Sequence, residues 1–410
     1  MHNNIIHHLD NPRELERLYR TNNEGFKRDF ITVYSQIKGQ PIADFWHERL
    51  HFENDGINWG TGKDLIFVVI VSLLAGFIAK LPALFAISEA YFYSRNIGFI
   101  IFPALAAYFA WKNKVSVKNS GIISAVFLVC LLYINFLPTL ESDTITLSCI
   151  HLIIVLWGVL GFAYVGSAYD QVRHRLGFLK YNGDLIVMTT LIVLAGGIMT
   201  GITIGLFSLI GFNIEQFYFD NVVVFGLPAA PIFGTYLTQT NPQLVGKVSP
   251  VIAKIFSPLV LVMLSVYLVA MAYSGKDPYT DREFLLIFNG LLVGVLALIF
   301  FSLSENSSAD KKQMWVLLFL SILTIIVNGI ALSAILFRIS EWGITPNRAA
   351  VLGSNILILA NLLLVTFQLF KTLIFKRDIK NAGKIIANYL PIYLIWAIIV
   401  TFLFPLIFGF

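Results

Sequence analysis

From residue 65 onward, the chain alternates long apolar blocks with short polar connections. A helix of about 20 residues crosses a hydrocarbon core roughly 30 Å thick, so each block predicts a membrane-spanning helix. Eleven spans follow, at 65–85, 97–111, 119–137, 146–167, 184–212, 221–238, 252–273, 284–303, 314–337, 349–370 and 387–408. The predicted fold class is an all-α integral membrane protein with about eleven (10–12) transmembrane helices.

Residues 1–63 follow a different pattern, with charges of both signs between apolar residues at helical spacing. Asn11 can cap a helix that begins at Pro12, and Pro41 begins another helix. Between them, a helix is predicted by the apolar residues Phe26, Phe30, Val33 and Ile37. We predict a short cytoplasmic segment of two or three amphipathic helices, too small to bury much of a core. The transmembrane domain then occupies 64–410.

The distribution of basic residues predicts the orientation, because Lys and Arg of membrane proteins collect in cytoplasmic loops. With the N-terminus in the cytoplasm, 23 of the 29 Lys and Arg residues lie on the cytoplasmic side and six on the other. This predicts a cytoplasmic N-terminus and an external C-terminus. The net charge of +5 therefore reflects membrane topology, and we expect no nucleic-acid partner.

Composition agrees with this class, since the chain is 57% hydrophobic and 13% charged, against about 25% charged in soluble domains. The two cysteines, Cys130 and Cys149, lie in or beside apolar spans and form no metal-binding spacing. We expect neither a disulfide framework, nor a metal, nor a cofactor. The first residues lack the pattern of a signal peptide, so we expect them to remain in the mature protein.

A polar stripe marks the tenth span. Asn347, Ser354, Asn361 and Gln368 are seven residues apart and lie on one side of a helix, over about 31 Å of its length. Arg348 and Asn355 flank the stripe. Unpaired polar groups are costly in hydrocarbon, so the stripe faces either a neighbouring helix, as hydrogen-bonding contacts, or a solvated pathway.

The connection before this span, RISEWGITPNR, is rich in polar residues. Arg338 and Glu341 are three residues apart and can pair, while Trp342 is suited to the membrane interface. One interpretation is a rigid, capped turn. The other is a cationic pocket, completed by Arg348, for a phosphate, a carboxylate or a lipid head group.

The first hairpin carries another group of charges, Lys80, Glu89 and Arg95. Lys80 either extends to the outer surface or lies deep in the first span. If these residues meet the tenth span, the candidate substrate-binding residues are Lys80, Glu89, Arg95, Arg338, Glu341, Arg348 and Asn355.

Spans five and six contain helix-packing or helix-breaking residues. Gly197, Gly201 and Gly205 recur every four residues, a spacing that lets helices approach closely. Pro228 and Pro231 predict a kinked or broken sixth span. Broken helices line the binding sites of many transporters, but they also occur as structural kinks.

Evidence for catalysis is poor. Glu141, Asp143 and His151 lie close together at the outer edge of the fourth span, where a metal or proton site is one interpretation and an ordinary interfacial histidine the other. No zinc-protease, nucleophile-elbow or phosphate-loop motif occurs. The sequence favours a protein that is not an enzyme and leaves an enzyme open as the third hypothesis.

Four stretches, GFIAKLPALF, FYSRNIGFIIFPALAAYF, SPLVLVMLSVYLVAMAY and RISEWGITPNR, occur in that order. Together they resemble the bacterial membrane family catalogued as domain of unknown function 4153 (DUF4153), over residues 65 to about 370. RISEWGITPNR is the most specific match, although Trp342 replaces a tyrosine. The resemblance implies a multi-pass protein of the bacterial inner membrane and brings no activity or site residues.

Three functions remain open. The first is a transporter or lipid- or anion-handling permease with an outward-facing basic pocket. The second is a membrane sensor or scaffold that binds a protein partner through residues 1–63, and the third is a membrane-embedded enzyme acting on a lipid-linked substrate. Membrane lipids are partners in each case.

Overall fold

The computed structural model describes residues 2–21, 23–51, 60–139, 142–166, 171–209, 212–274, 279, 282–305, 311–375 and 380–409. Within these ranges the chain forms helices and no strands. It divides into two compact units, Met1–Asn58 and Trp59–Phe410, close to the boundary expected at residue 63. Each unit is described by itself.

The described residues of the N-terminal unit form four helices rather than two or three: α1 (His2–His7), α2 (Pro12–Thr21), α3 (Asn23–Ile37) and α4 (Pro41–His51). Helix α1 was not predicted because its sequence, HNNIIH, has only two apolar residues. The unit has its own hydrophobic core, made by Ile5, Leu9, Leu15, Phe26, Phe30, Val33, Ile37, Ala43, Trp46 and Leu50. The expectation of little core was therefore wrong.

Contacts between tilted aromatic rings and one ionic cluster hold this unit together. The Trp46 ring lies 5.1 Å from that of Phe26 and 5.5 Å from that of Tyr19. Glu16 binds Arg20 at 2.8 Å and Arg49 at 2.9 Å. The hydrogen bond from Arg20 and the contact with Arg49 lower the pKa of the Glu16 carboxyl.

The second unit contains thirteen described helices. They are α5 (Gly62–Phe85), α6 (Glu89–Lys112), α7 (Val117–Phe136), α8 (Asp143–Val165), α9 (Gln171–Leu209), α10 (Glu215–Tyr218), α11 (Val224–Thr240), α12 (Pro242–Ser274), α13 (Arg282–Glu305), α14 (Lys311–Trp342), α15 (Pro346–Phe375), α16 (Lys380–Ile398) and α17 (Phe404–Phe408). Short π-helical segments, Phe219–Val223 and Ile399–Leu403, join α10 to α11 and α16 to α17.

Eight described helices are long and apolar enough to cross a membrane. They are α5, α7, α8, α9, the α10–α11 segment, α14, α15 and the α16–α17 segment. The other three predicted spans lie on α6, α12 and α13. Arg95 and Asn96 make α6 more polar, and α12 and α13 contribute shorter apolar stretches, Val251–Val266 and Phe288–Ser304. A count of eleven spans stays a prediction.

The helix ends of this unit meet at two faces. At the first, which we call the Asp64 face, Asp64 caps the start of α5 and Lys112, at the end of α6, lies 3.6 Å from its carboxylate. At the second, the Thr144 face, Thr144 near the start of α8 donates to the carbonyl of Gly409 at 2.9 Å. Leu147 and Ala350 share a hydrophobic cluster near this face, so α8 and α15 begin side by side.

A π-helical segment fixes α16 against α8. In a π-helical turn, a carbonyl can be left free of its usual backbone partner. The carbonyl of Thr401 accepts hydrogen bonds from the Ser148 hydroxyl at 2.8 Å and the Tyr133 hydroxyl at 3.1 Å. These bonds position one wall of the cavity described below.

Candidate functional site

Arg95 does not line an open cationic pocket but binds the end of a neighbouring helix. Its guanidinium donates to the carbonyls of Ile134 at 2.6 Å, Leu137 at 2.9 Å and Pro138 at 2.6 Å. These groups terminate α7, where unpaired carbonyls carry partial negative charge. Only 6% of Arg95 is exposed. The residue therefore caps α7 and ties it to α6.

The other charged residues of the first hairpin are also engaged locally or face outward. Next to Arg95, the side chains of Asn96 and Asn135 donate to each other, at 3.1 and 2.8 Å. Lys80 donates to the side-chain oxygen of Asn221. Glu89 is exposed in the first turn of α6, where an acid complements the helix dipole. These contacts support a structural role for the hairpin.

The turn between α14 and α15 is also closed by backbone contacts. Arg348 donates to the carbonyls of Trp342 at 2.9 Å and Gly343 at 2.7 Å. Gly343 has φ +76°, which closes the turn. On the other side of Trp342, Arg338 donates to the Tyr279 carbonyl at 2.8 Å, while Glu341 is exposed. The capped-turn interpretation fits this arrangement.

Two residues of the polar stripe bond to the helix that follows. Trp396 donates to the Ser354 hydroxyl at 3.0 Å, and Asn361 donates to the Tyr393 hydroxyl at 3.0 Å. Asn347 and Gln368, at the two ends of the stripe, are half-buried. Asn355 is 1% exposed, and its amide nitrogen has no partner among the described residues. The middle of the stripe thus joins α15 to α16.

The regularly spaced glycines of α9 make no close helix contact among the described residues, and the two prolines of the sixth predicted span lie inside the continuous helix α11. Gly197, Gly201 and Gly205 are exposed, and a Cβ added at any of them meets no described atom within 4 Å. Among the described residues, no helix packs closely against these three glycines. Helix α11 continues through Pro228 and Pro231, and the irregular segment lies before it, at Phe219–Val223.

A large cavity lies between α8, α9, α12, α13, α15 and α16, away from the charged residues described above. Its volume is about 620 Å³, within the range of roughly 300–1,000 Å³ typical of small-molecule sites. The described residues that line it include no Asp, Glu, Lys or Arg. Its walls are mainly aliphatic and aromatic, and examples are Leu179, Ile186, Phe256, Phe300, Ile358 and Leu390. This is the candidate site.

Four neutral polar groups interrupt the apolar wall. Ser354 and Tyr393 line the cavity. Their hydroxyl groups accept the hydrogen bonds from Trp396 and Asn361 described above. Asn182 accepts a hydrogen bond from the Trp157 indole at 2.9 Å. His151 lines the cavity and its Nδ1 lies 2.9 Å from the Leu147 carbonyl. The polar stripe therefore borders the cavity at its middle, without making it ionic.

The cavity is open on one side. Ile186, Phe256 and Val293 line it and are 67%, 52% and 58% exposed, more than a sealed cavity allows. Other lining residues are buried, and Phe300 and Ala397 are 7% and 1% exposed. The open side therefore lies between α9, α12 and α13, near the middle of these helices, where a membrane presents hydrocarbon.

Glycines permit close packing around the cavity. A Cβ on Gly183 would meet the Phe301 ring, and one on Gly353 would meet the Trp396 ring, both at less than van der Waals distance. These contacts hold aromatic rings in the wall. In the sequence these are two isolated glycines, outside the regularly spaced set at Gly197, Gly201 and Gly205.

A second, more polar pocket of about 1,110 Å³ lies at the Thr144 face beside Arg95. Hydroxyl groups of Ser88, Ser142 and Thr146 line it, together with Asp143. Glu141, which one interpretation placed in a metal or proton site here, lies outside the described residues. Among the described residues no group of three metal-binding side chains occurs. The guanidinium of Arg95 is already bound to the carbonyls at the end of α7. We therefore consider this pocket a weaker candidate for ligand binding than the apolar cavity.

Sequence reasoning missed most of the cavity. Ser354 and His151 were singled out, but Trp157, Asn182 and Tyr393 were not. These three are neutral polar or amphipathic residues within apolar spans, and nothing in their spacing indicates that six helices bring them together. The charged residues attracted attention instead, although each described one is engaged locally or faces outward.

Comparison with known proteins adds no relative from which a role could be transferred. The resemblance to the DUF4153 family therefore stays a prediction from the quoted stretches. No protein-family model, no curated protein and no solved structure matches this chain.

Proposed function

We propose that this chain is a lipid-handling membrane protein that binds an apolar molecule in the cavity between α8, α9, α12, α13, α15 and α16. The observation that carries the proposal is the cavity itself, about 620 Å³ in volume, whose described lining has no ionic side chain. The bilayer is as apolar as the cavity, so an apolar ligand gains no hydrophobic free energy by entering it. Its binding free energy comes from close packing and from matched hydrogen bonds. The aromatic walls and four neutral polar groups supply both.

The open side favours uptake from the membrane. Ile186, Phe256 and Val293 lie near the middle of their helices. A ligand dissolved in the hydrocarbon can enter there without crossing water. The proposed location, the bacterial cytoplasmic membrane with the N-terminus in the cytoplasm, rests on the basic-residue distribution and on the family resemblance.

This proposal replaces the anion-binding form of the permease hypothesis. Lys80, Arg95 and Arg348 bind carbonyl or amide oxygens at separate places. A phosphate or carboxylate in the cavity would have no described cation beside it, and an unpaired buried charge is costly. We therefore propose handling of an apolar or neutral molecule rather than an anion.

Filling the cavity tests the proposal. Ala297 lines the cavity, and its side chain is exposed to it. In Ala297→Trp the indole occupies much of the space, so photo-crosslinking by a diazirine-bearing long-chain lipid in nanodiscs should fall at the cavity residues by about tenfold, as expected for loss of about 1.4 kcal/mol of binding. Peptide mapping by mass spectrometry locates the crosslinks.

The matched control is Ala125→Trp, because Ala125 is exposed on α7 and does not line the cavity. It should leave crosslinking at the cavity unchanged. Crosslinks spread evenly over all lipid-facing helices in the wild-type protein, with no enrichment at Ile186, Phe256 or Val293, would contradict the proposal.

A scaffold role for the N-terminal unit has one observation in its favour. Phe45 is 61% exposed although its neighbour Trp46 is buried in the core of that unit. Aromatic side chains are enriched at the centres of protein–protein interfaces, so an exposed phenylalanine suits contact with a protein partner. Co-purification of a defined partner that is lost in Phe45→Ala, but retained in the surface variant Lys38→Ala, would favour this function.

A further inference from the structure

His151 and Ser354 lie at the same depth in the helical bundle. Leu147 of α8 and Ala350 of α15 pack in one cluster, and His151 and Ser354 each follow one of them by four residues. Each is about 12 Å from the start of its helix, at 1.5 Å per residue. Both line the cavity. The ring of His151 is therefore set well below the Thr144 face.

The hydrogen bonding of His151 fixes which ring nitrogen carries the proton. Its Nδ1 is 2.9 Å from the Leu147 carbonyl. A carbonyl can only accept, so Nδ1 is the donor and bears the hydrogen. No carboxylate lines the cavity among the described residues, so the ring has no counter-ion and is neutral. In the neutral ring, Nε2 is then a hydrogen-bond acceptor.

The other side-chain acceptors of the cavity are already engaged. Asn182 accepts from Trp157 and donates to the Phe178 carbonyl. Ser354 accepts from Trp396, at 3.0 Å. Nε2 of His151 has no partner among the described residues. An acceptor left unpaired in hydrocarbon is costly, and a ligand that donates a hydrogen bond removes that cost.

We propose that the ligand of the cavity is a neutral apolar molecule ending in a hydroxyl group, which donates its hydrogen to Nε2 of His151. This inference rests on the proposed function and specifies its substrate class. A charged head group lacks a counter-ion in the described lining, and an ether or a hydrocarbon cannot donate. A hydroxyl also accepts, and the Ser354 hydroxyl at the same depth is a donor for it.

Two probes of equal chain length test the proposal in nanodiscs. One is hexadecanol with a diazirine in its chain, and the other is the methyl ether of the same molecule. With the wild-type protein, the alcohol should crosslink to cavity residues about threefold more than the ether, the ratio expected for one hydrogen bond between groups in a membrane. His151→Phe keeps a ring but removes the acceptor, so the ratio should fall to about one. His151→Gln retains an acceptor oxygen and should keep part of the preference.

The outcomes separate this inference from the proposed function. Equal crosslinking of the two probes in the wild-type cavity overturns the hydroxyl inference and leaves the apolar site intact. A preference that persists in His151→Phe overturns the role of His151. Crosslinking by neither probe at the cavity overturns both proposals. If the ether crosslinks to His151→Phe as strongly as to the wild-type protein, the cavity of the variant is intact. If that variant does not fold, the ratio of alcohol to ether crosslinking in the wild-type protein decides the question alone.

Discussion

Replacing Arg95 by Met isolates the energetic role of the guanidinium that caps α7. Methionine retains an unbranched apolar chain of similar reach, so the packing beside Tyr91, whose ring lies 4.7 Å from the guanidinium carbon, is largely kept. What disappears is the set of bonds to the carbonyls of Ile134, Leu137 and Pro138. The variant leaves these acceptors facing a methyl group.

The cost follows from the number and kind of bonds. A hydrogen bond between membrane helices contributes about 0.6 kcal/mol on average, and a charged donor roughly doubles that value. Three such bonds therefore contribute about 3–4 kcal/mol. Arg348 is the matched control, since its two bonds to backbone carbonyls are exposed. Arg348→Met should cost less than about 1 kcal/mol.

The assay is reversible unfolding in mixed micelles of increasing SDS content, followed by tryptophan fluorescence. The free energy of unfolding of each variant is compared with that of the wild-type protein. The reasoning fails if Arg95→Met is no more destabilising than Arg348→Met. Arg95→Lys provides a further check, because an ammonium cannot match the spread of a guanidinium and should recover only part of the loss.

Other expected outcomes follow from the same contacts. A double-mutant cycle with Asn96→Ala and Asn135→Ala should give a coupling of about 1 kcal/mol, and additive effects would show that the amide pair contributes nothing. Gly183→Ala should destabilise by about 1–3 kcal/mol, since its Cβ meets a phenyl ring of α13. Gly201→Ala, where a Cβ meets open space, should be neutral or slightly stabilising in the same unfolding assay. In the N-terminal unit the bound arginines lower the pKa of Glu16, so its stabilising effect should be full at neutral pH and disappear as the pH falls below 4.5. Amide hydrogen exchange in α2 should show this acid dependence, and Glu16→Gln should lack it.

The helices were predictable from sequence because hydrocarbon selects long apolar blocks. Each predicted span falls on a helix, and the capping of α15 within RISEWGITPNR agrees with the turn interpretation. The bounds were less accurate where polar residues belong to the helix. Helix α6, for example, begins at Glu89 rather than at residue 97 because Arg95 and Asn96 find buried partners.

The site was not predictable, because it depends on contacts between helices rather than on apolar blocks along the chain. A one-dimensional pattern shows which residues are polar but not which groups satisfy them. Arg95 and Arg348 looked like a binding pocket because their carbonyl partners are backbone atoms, which every sequence contains. The cavity is made by the spacing of six helices, and only Ser354 and His151 among its polar residues had drawn attention.

The exposed side chains of Ile186, Phe256 and Val293 place the opening of the cavity near the middle of α9, α12 and α13. Under the proposed uptake from the membrane, the quantity that sets occupancy is the mole fraction of ligand in the bilayer rather than its concentration in water. Solubilisation replaces those surrounding molecules with detergent, whose alkyl tails compete for the same space. Ligands identified from a detergent extract therefore report on the detergent as much as on the cell, and extraction with the native lipid belt retained is the informative preparation.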